Sequence, residues 1–138
     1  MSTLIKGGLV IDPRNQICSQ LNLLLQDGRV AAITESQPEA DQVIDAAGRV
    51  VTPGFVDIHM HEDPVGPDGH LVRDDATAIF PCRLRMGVTT VLAGQCGITR
   101  ADPGDYLALI DRDGAAVNVA MLAGHAYMRE ACGHMDKY

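Results

Sequence analysis

The sequence predicts an α/β protein in two stretches that meet near Pro53: a small antiparallel β module, then parallel strand–helix units. Three observations carry this. Up to Thr52, short apolar runs are punctuated by turn residues; from Gly54 onward the rhythm becomes strand, loop, helix, strand; and the later strands are continuous apolar runs. Continuous runs are expected of strands covered on both faces, and strands alternating with helices imply parallel pairing.

In the first stretch, Leu4-Ile5 and Leu9-Val10-Ile11 are interrupted by Gly7-Gly8 and stopped by Asp12-Pro13. Leu21 to Leu25 and Val30 to Ile33 flank Asp27-Gly28. An Asp-Gly pair between apolar runs predicts a hairpin, because a type I′ turn needs positive φ at both central positions. Val43-Ile44 and Val50-Val51 bracket a second turn at Ala47-Gly48-Arg49.

In the second stretch, Gly54 to His59 is the first buried strand and Gly87 to Ala93, rich in β-branched residues, the second. Pro64 to Gly69 is loop. Ile79 to Met86 is a short helix with Pro81 in its first turn, where a missing N–H does little harm. Pro103 to Asp113 is a longer helix, with Asp102 as N-cap and Tyr106, Leu107 and Ile110 on one face. Ala116 to Leu122 supplies a third buried strand ending at Gly124-His125.

Composition narrows the function classes. A length of 138 residues, with 46% hydrophobic and 21% charged content, is that of a soluble globular protein. The net charge of −7 leaves no basic stripe to neutralise phosphates, so nucleic acid is not an expected partner. Met1 to Gly8 reads as folded sequence, with no basic segment leading into an apolar core, and no apolar run reaches the length of a bilayer span; a cytoplasmic location without membrane contact is expected. Without a secretory signal, Cys18, Cys82, Cys96 and Cys132 are expected as free thiols or a metal ligand, not as disulfides.

The chemistry centres on Pro53-Gly54-Phe55-Val56-Asp57-Ile58-His59-Met60-His61. Side chains alternate across a strand, so His59 and His61 are expected to project from one side and to grip one metal ion between them. Two imidazoles alone rarely hold a catalytic ion, and further donors are needed. In parallel βα folds the chemistry sits at the C-terminal ends of the strands. Three successive predicted strand ends carry His59 with His61, Gly94-Gln95-Cys96-Gly97, and His125. His125 is open between a polar supporting group and a structural histidine, and Asp57 between a local hydrogen bond and orienting a ligand. Glu62 and Asp63 hold the loop after the motif or face solvent. His70, Cys18, Cys82, Cys132 and His134 are read as structural.

The opening Leu4-Ile5-Lys6-Gly7-Gly8-Leu9-Val10-Ile11-Asp12-Pro13, the Gln26 to Ile33 block and the run from Asp45 to His61 resemble the start of an amidohydrolase-superfamily enzyme. Gly87-Val88-Thr89-Thr90-Val91-Leu92-Ala93-Gly94-Gln95-Cys96-Gly97-Ile98-Thr99 and Val119 to His125, with Arg129 soon after, are similar to its N-acyl-D-amino acid deacylase (D-aminoacylase) branch. Tyr127-Met128 departs from the commoner pattern there. The resemblance implies that residues 1–53 are the N-terminal part of a small β-sandwich domain. It implies that residues 54–138 are the first three βα units of an incomplete (β/α)₈ metal-dependent hydrolase barrel. Such a barrel takes about 250 residues, and only about a third of that length follows Gly54. The chain therefore reads as an N-terminal fragment.

The resemblance also implies zinc as the cofactor, with His59, His61 and Cys96 as ligands, and an N-acyl-D-amino acid hydrolysed to carboxylate and free D-amino acid. The family's other metal-binding histidines and its proton-shuttling aspartate have no positions in this sequence, so these 138 residues alone are expected to be inactive. A cyclic amidase of the dihydroorotase or hydantoinase type is the nearest competitor. Those enzymes depend on a carboxylated lysine from a later strand, whereas Cys96 speaks for the cysteine-bridged branch. The remaining alternative is a non-catalytic truncated product whose open barrel edge is satisfied by self-association or by a complementing C-terminal fragment.

Overall fold

The structure is a computed structural model and describes residues 1–74 and 77–133; His134 lies outside them. The chain divides into two compact units, Met1–Pro53 and Gly54–Tyr138.

The first unit is a five-stranded sheet built on β1 (Ser2–Asp12). β2 (Ile17–Gln26) runs antiparallel to β1, and β3 (Arg29–Thr34) antiparallel to β2. The two-residue turn between them places Asp27 at φ 52° and Gly28 at φ 74°, the pair of positive angles a type I′ hairpin requires. The glycine pair at 7–8 does not end a strand. It makes a bulge, and β1 continues through it. There the buried Asn22 accepts from the Gly7 N–H (2.8 Å) and donates to the carbonyls of Glu35 (3.1 Å) and Ser36 (2.8 Å), so the Gly7 N–H at the ladder interruption has a partner. Asp12 closes the strand by accepting from the N–H groups of Arg14 and Asn15.

One expectation needs correction. β4 (Gln42–Asp45) and β5 (Val50–Val51) do not form a second hairpin; both pair with β1, and both are parallel to it. The module is therefore mixed, not antiparallel. The Ala47–Arg49 turn is an excursion that rejoins the same edge: the Ala46 N–H donates to Lys6 O (2.8 Å) and the Leu9 N–H to Arg49 O (2.9 Å), carrying the chain past the β1 bulge without reversing it.

The second unit holds a three-stranded parallel sheet in the order β6 (Phe55–Asp57), β7 (Val88–Ala93), β8 (Asn118–Met121). α1 (Ile79–Arg85) and α2 (Pro103–Asp113) lie in the connections, and α3 (His125–Ala131) follows β8. Met60, Leu71, Phe80, Val88, Val91, Ala93, Tyr106 and Val117 form one apolar core. α2 begins as predicted: Pro103 opens it and the Asp102 carboxylate accepts from the N–H groups of Gly104 (2.8 Å) and Asp105 (3.4 Å).

The three strands are not equally buried, which corrects a second expectation. β7 is central, with Val91 and Ala93 fully enclosed, but in β6 Phe55 and Val56 are 58% and 62% exposed, and in β8 Asn118 and Ala120 are exposed. The cause is position in the sheet: β6 and β8 each have a neighbour on one side only. No described helix is long and apolar enough to cross a membrane.

Candidate metal centre

β6 stops at Asp57, two residues before the first histidine. The Asp57 carboxylate accepts from the His59 N–H (3.0 Å) and lies 3.6 Å from Arg83 Nε, bending the chain out of the sheet. Burial alternates over the four residues that follow Ile58: His59 and His61 are exposed, Met60 and Glu62 enclosed. One face of this segment presents imidazoles. The other anchors it.

Beyond β7 the chain turns at once through Gly94 into a short 3₁₀ turn, Gln95–Gly97. Gly94, Cys96 and Gly97 all have positive φ (77°, 60° and 74°). A Cβ on Gly94 would stand 2.3 Å from the backbone oxygen of Leu122, so glycine is required there twice over. For Cys96, which has a Cβ, the left-handed conformation costs about 1–2 kcal/mol. Strain of this kind persists where surrounding structure imposes it, often at functional positions.

The turn carries the Cys96 thiol to His59, with Sγ and Nε2 3.6 Å apart across 37 residues of sequence. A tetrahedral zinc ion with Zn–S near 2.3 Å and Zn–N near 2.05 Å separates two such ligands by about 3.6 Å. The pair fits two neighbouring corners of such a site. His61 is exposed on the same segment, and His125 is exposed at the start of α3, which packs against the cysteine turn. Neither joins the pair closely: among the described residues no group of three or more His, Cys, Asp or Glu side chains is gathered within reach of one metal ion. All four cysteines are free and exposed, so Cys18, Cys82 and Cys132 fill no core position. His70 makes a surface pair, with Nδ1 3.1 Å from Asp113.

Glu62 and Asp63 hold loops and do not face solvent; they are 1% and 4% exposed. The Glu62 carboxylate accepts from the N–H groups of Gly94 (3.3 Å) and Arg100 (2.6 Å), and Arg100 Nε donates to the Glu62 carbonyl (3.0 Å). Asp63 accepts from the N–H groups of Ile79 and of Phe80 (3.0 Å). It thereby caps α1 from a distant segment, since Ala78 at the N-cap offers no side-chain acceptor. Pro81, next in line, has no N–H to satisfy. Burial raises the Asp63 carboxyl above its ordinary range, against the pull of those two amides. The buried Tyr106 hydroxyl donates to the Asp63 carbonyl (2.9 Å); burial, with the Asp63 and Glu62 charges, pushes its pKa above the ordinary phenol value. A helix with proline in its first turn and no local capping side chain was the sequence signal that a remote acceptor was required.

Residues 42–134 match the model of the Amidohydrolase family. The D-aminoacylase of Alcaligenes xylosoxydans xylosoxydans is 34% identical over 152 residues, covering 93% of this chain and 30% of the relative. A dihydroorotase of Syntrophus aciditrophicus (strain SB) is 45% identical over 64 residues, covering 44% of this chain and 15% of that protein. Among solved structures, the N-acyl-D-glutamate deacylase of Bordetella bronchiseptica, complexed with zinc and a phosphonate mimic of the tetrahedral intermediate, matches with a TM-score of 0.74 at 30% identity. That match covers 92% of this chain and 30% of the other. The mixed α/β sheets thus resemble part of a known amidohydrolase, and the chain spans less than a third of the length of these relatives.

Proposed function

The chain belongs to the amidohydrolase family, and from that premise we propose that it contributes the first ligands of a zinc site that hydrolyses the amide bond of N-acyl-D-amino acids. In this reading residues 1–53 belong to a β-sandwich and residues 54–138 to the first βα units of a (β/α)₈ barrel. The observation that carries it is the Cys96–His59 pair at 3.6 Å. A cysteine on the turn after the second parallel strand belongs to the deacylase branch that the sequence resembles, and the zinc-complexed relative is a deacylase.

His59, His61 and Cys96 would hold the metal, which when bound supplies Lewis-acid activation of an amide carbonyl and of water. The chain's own residues do the positioning. Asp57 and Arg83 set the bend that turns His59 outward. Gln95 Nε2 donates to Ile58 O (2.8 Å), tying the cysteine turn to the histidine segment. The exposed edge of β6, with Phe55 and Val56, is where further barrel strands or a second chain would pair.

The dihydroorotase match favours a second reading, a cyclic amidase. The two differ in whether sulfur ligates the metal. Cobalt(II) added to the protein is expected to develop thiolate-to-metal charge-transfer absorption that Cys96→Ala abolishes and Cys82→Ala leaves intact. Cobalt bound without that absorption would favour the cyclic amidase, and equal loss in both variants would remove Cys96 from the site.

A further inference from the structure

We propose that Glu62 is the positioning residue that holds the Cys96 thiol against His59. It belongs to the segment that presents His59 and His61, and its side chain points the opposite way, into the protein. There its two oxygens grip the N–H groups at the two ends of the loop carrying Cys96, Gly94 on one side and Arg100 on the other. Arg100 returns the contact through Nε to the Glu62 backbone carbonyl, so three hydrogen bonds join one short stretch of each partner. The Glu62 carboxylate oxygens thus meet two backbone amides, and the Arg100 guanidinium meets the Glu62 backbone carbonyl.

A buried carboxylate is a costly way to hold two loops together, because its desolvation must be recovered from hydrogen bonds. What it supplies is geometry: acceptors at a fixed separation, rigidly linked to the residues bearing the imidazoles. The exposed Gln95 to Ile58 contact is the second tie, and the close approach of Gly94 to Leu122 O leaves the loop little room to shift. Asp63, the next residue, is the built-in control. It is equally enclosed and also accepts from two backbone N–H groups, but those belong to α1, not to the cysteine loop.

The metal part of this inference rests on the reading of His59 and Cys96 as ligands; the positioning part does not. Two measurements on the full chain separate them. Without metal, NMR should show a nuclear Overhauser contact between the Cys96 β protons and the His59 ring in the unsubstituted protein and in Asp63→Asn. Glu62→Gln, which turns an amide donor toward one of the two N–H groups, should lose it while the Phe80–Tyr106 core signals persist. With cobalt(II), the affinity read from thiolate absorption should fall about tenfold or more in Glu62→Gln, and stay near the starting value in Asp63→Asn. Should Glu62→Gln not fold, Glu62→Asp keeps the charge, cannot reach both amides, and should lose the same contact. A folded Glu62 variant that keeps the Cys96–His59 contact overturns the proposal, as does Asp63→Asn losing it equally or its absence from the unsubstituted protein. Absence of thiolate–cobalt absorption in the unsubstituted protein would remove the ligand reading alone, and the NMR contact would still decide the role of Glu62.

Discussion

Two loops of the second unit are each held by a carboxylate aimed at backbone N–H groups, and they are held for different ends. Glu62 is buried and grips the loop that presents Cys96. Asp113, at the end of α2, accepts from the Leu71 N–H (3.0 Å), from Arg112 Nε (2.7 Å) and pairs with His70 Nδ1 (3.1 Å), closing the Pro64–Val72 loop onto the helix end. The first anchor relies on enclosure and distance, the second on charge. Arg112 beside it, with the Leu71 amide, holds the Asp113 carboxyl well below the usual carboxylate range. The difference teaches where each loop is vulnerable: the cysteine loop to steric change, the other to acid.

The largest expected effect breaks the first anchor. Gly94→Ala adds a Cβ to a residue at φ 77° and drives it into Leu122 O. The left-handed penalty and the backbone clash together should cost about 3 kcal/mol, read from urea unfolding. A loss under about 1 kcal/mol would mean that the loop can shift. Next, Tyr106→Phe removes the buried donor to Asp63 O, the residue beside Glu62, without changing shape. It should cost about 1–2 kcal/mol in the same assay, and a neutral result would show that water or relaxation replaces the bond.

The smallest effect at neutral pH lies at Asp113. A carboxyl whose folded pKa is depressed contributes stability that is complete above the unfolded value of about 3.9 and is lost as pH falls through that value toward the folded one. Thermal melts from about pH 7 to about pH 3 should therefore show a steeper acid loss in the unsubstituted protein than in Asp113→Asn. Parallel curves would remove Asp113 from the acid response.

What was legible in the sequence was local. The Asp27-Gly28 hairpin and the Asp102-Pro103 helix start depend on residues next to one another, and both stand as read. The partners of β4 and β5 were not legible, because an apolar pattern marks a strand without saying which strand lies beside it. Nor was the exposure of Phe55 and Val56, since edge and central strands share the same composition. Glu62 and Asp63 looked like loop acids because their acceptors serve amides 16 to 38 residues away. Strand alternation points to His59 and resemblance to Cys96, but their approach spans 37 residues that no local rule connects.

X-ray absorption at the zinc edge of the metal-loaded protein tests the central claim most directly. A first shell containing one sulfur at about 2.3 Å with nitrogen or oxygen at about 2.0–2.1 Å, the sulfur lost in Cys96→Ala, is the expected result. A shell of nitrogen and oxygen alone in the unsubstituted protein would contradict it.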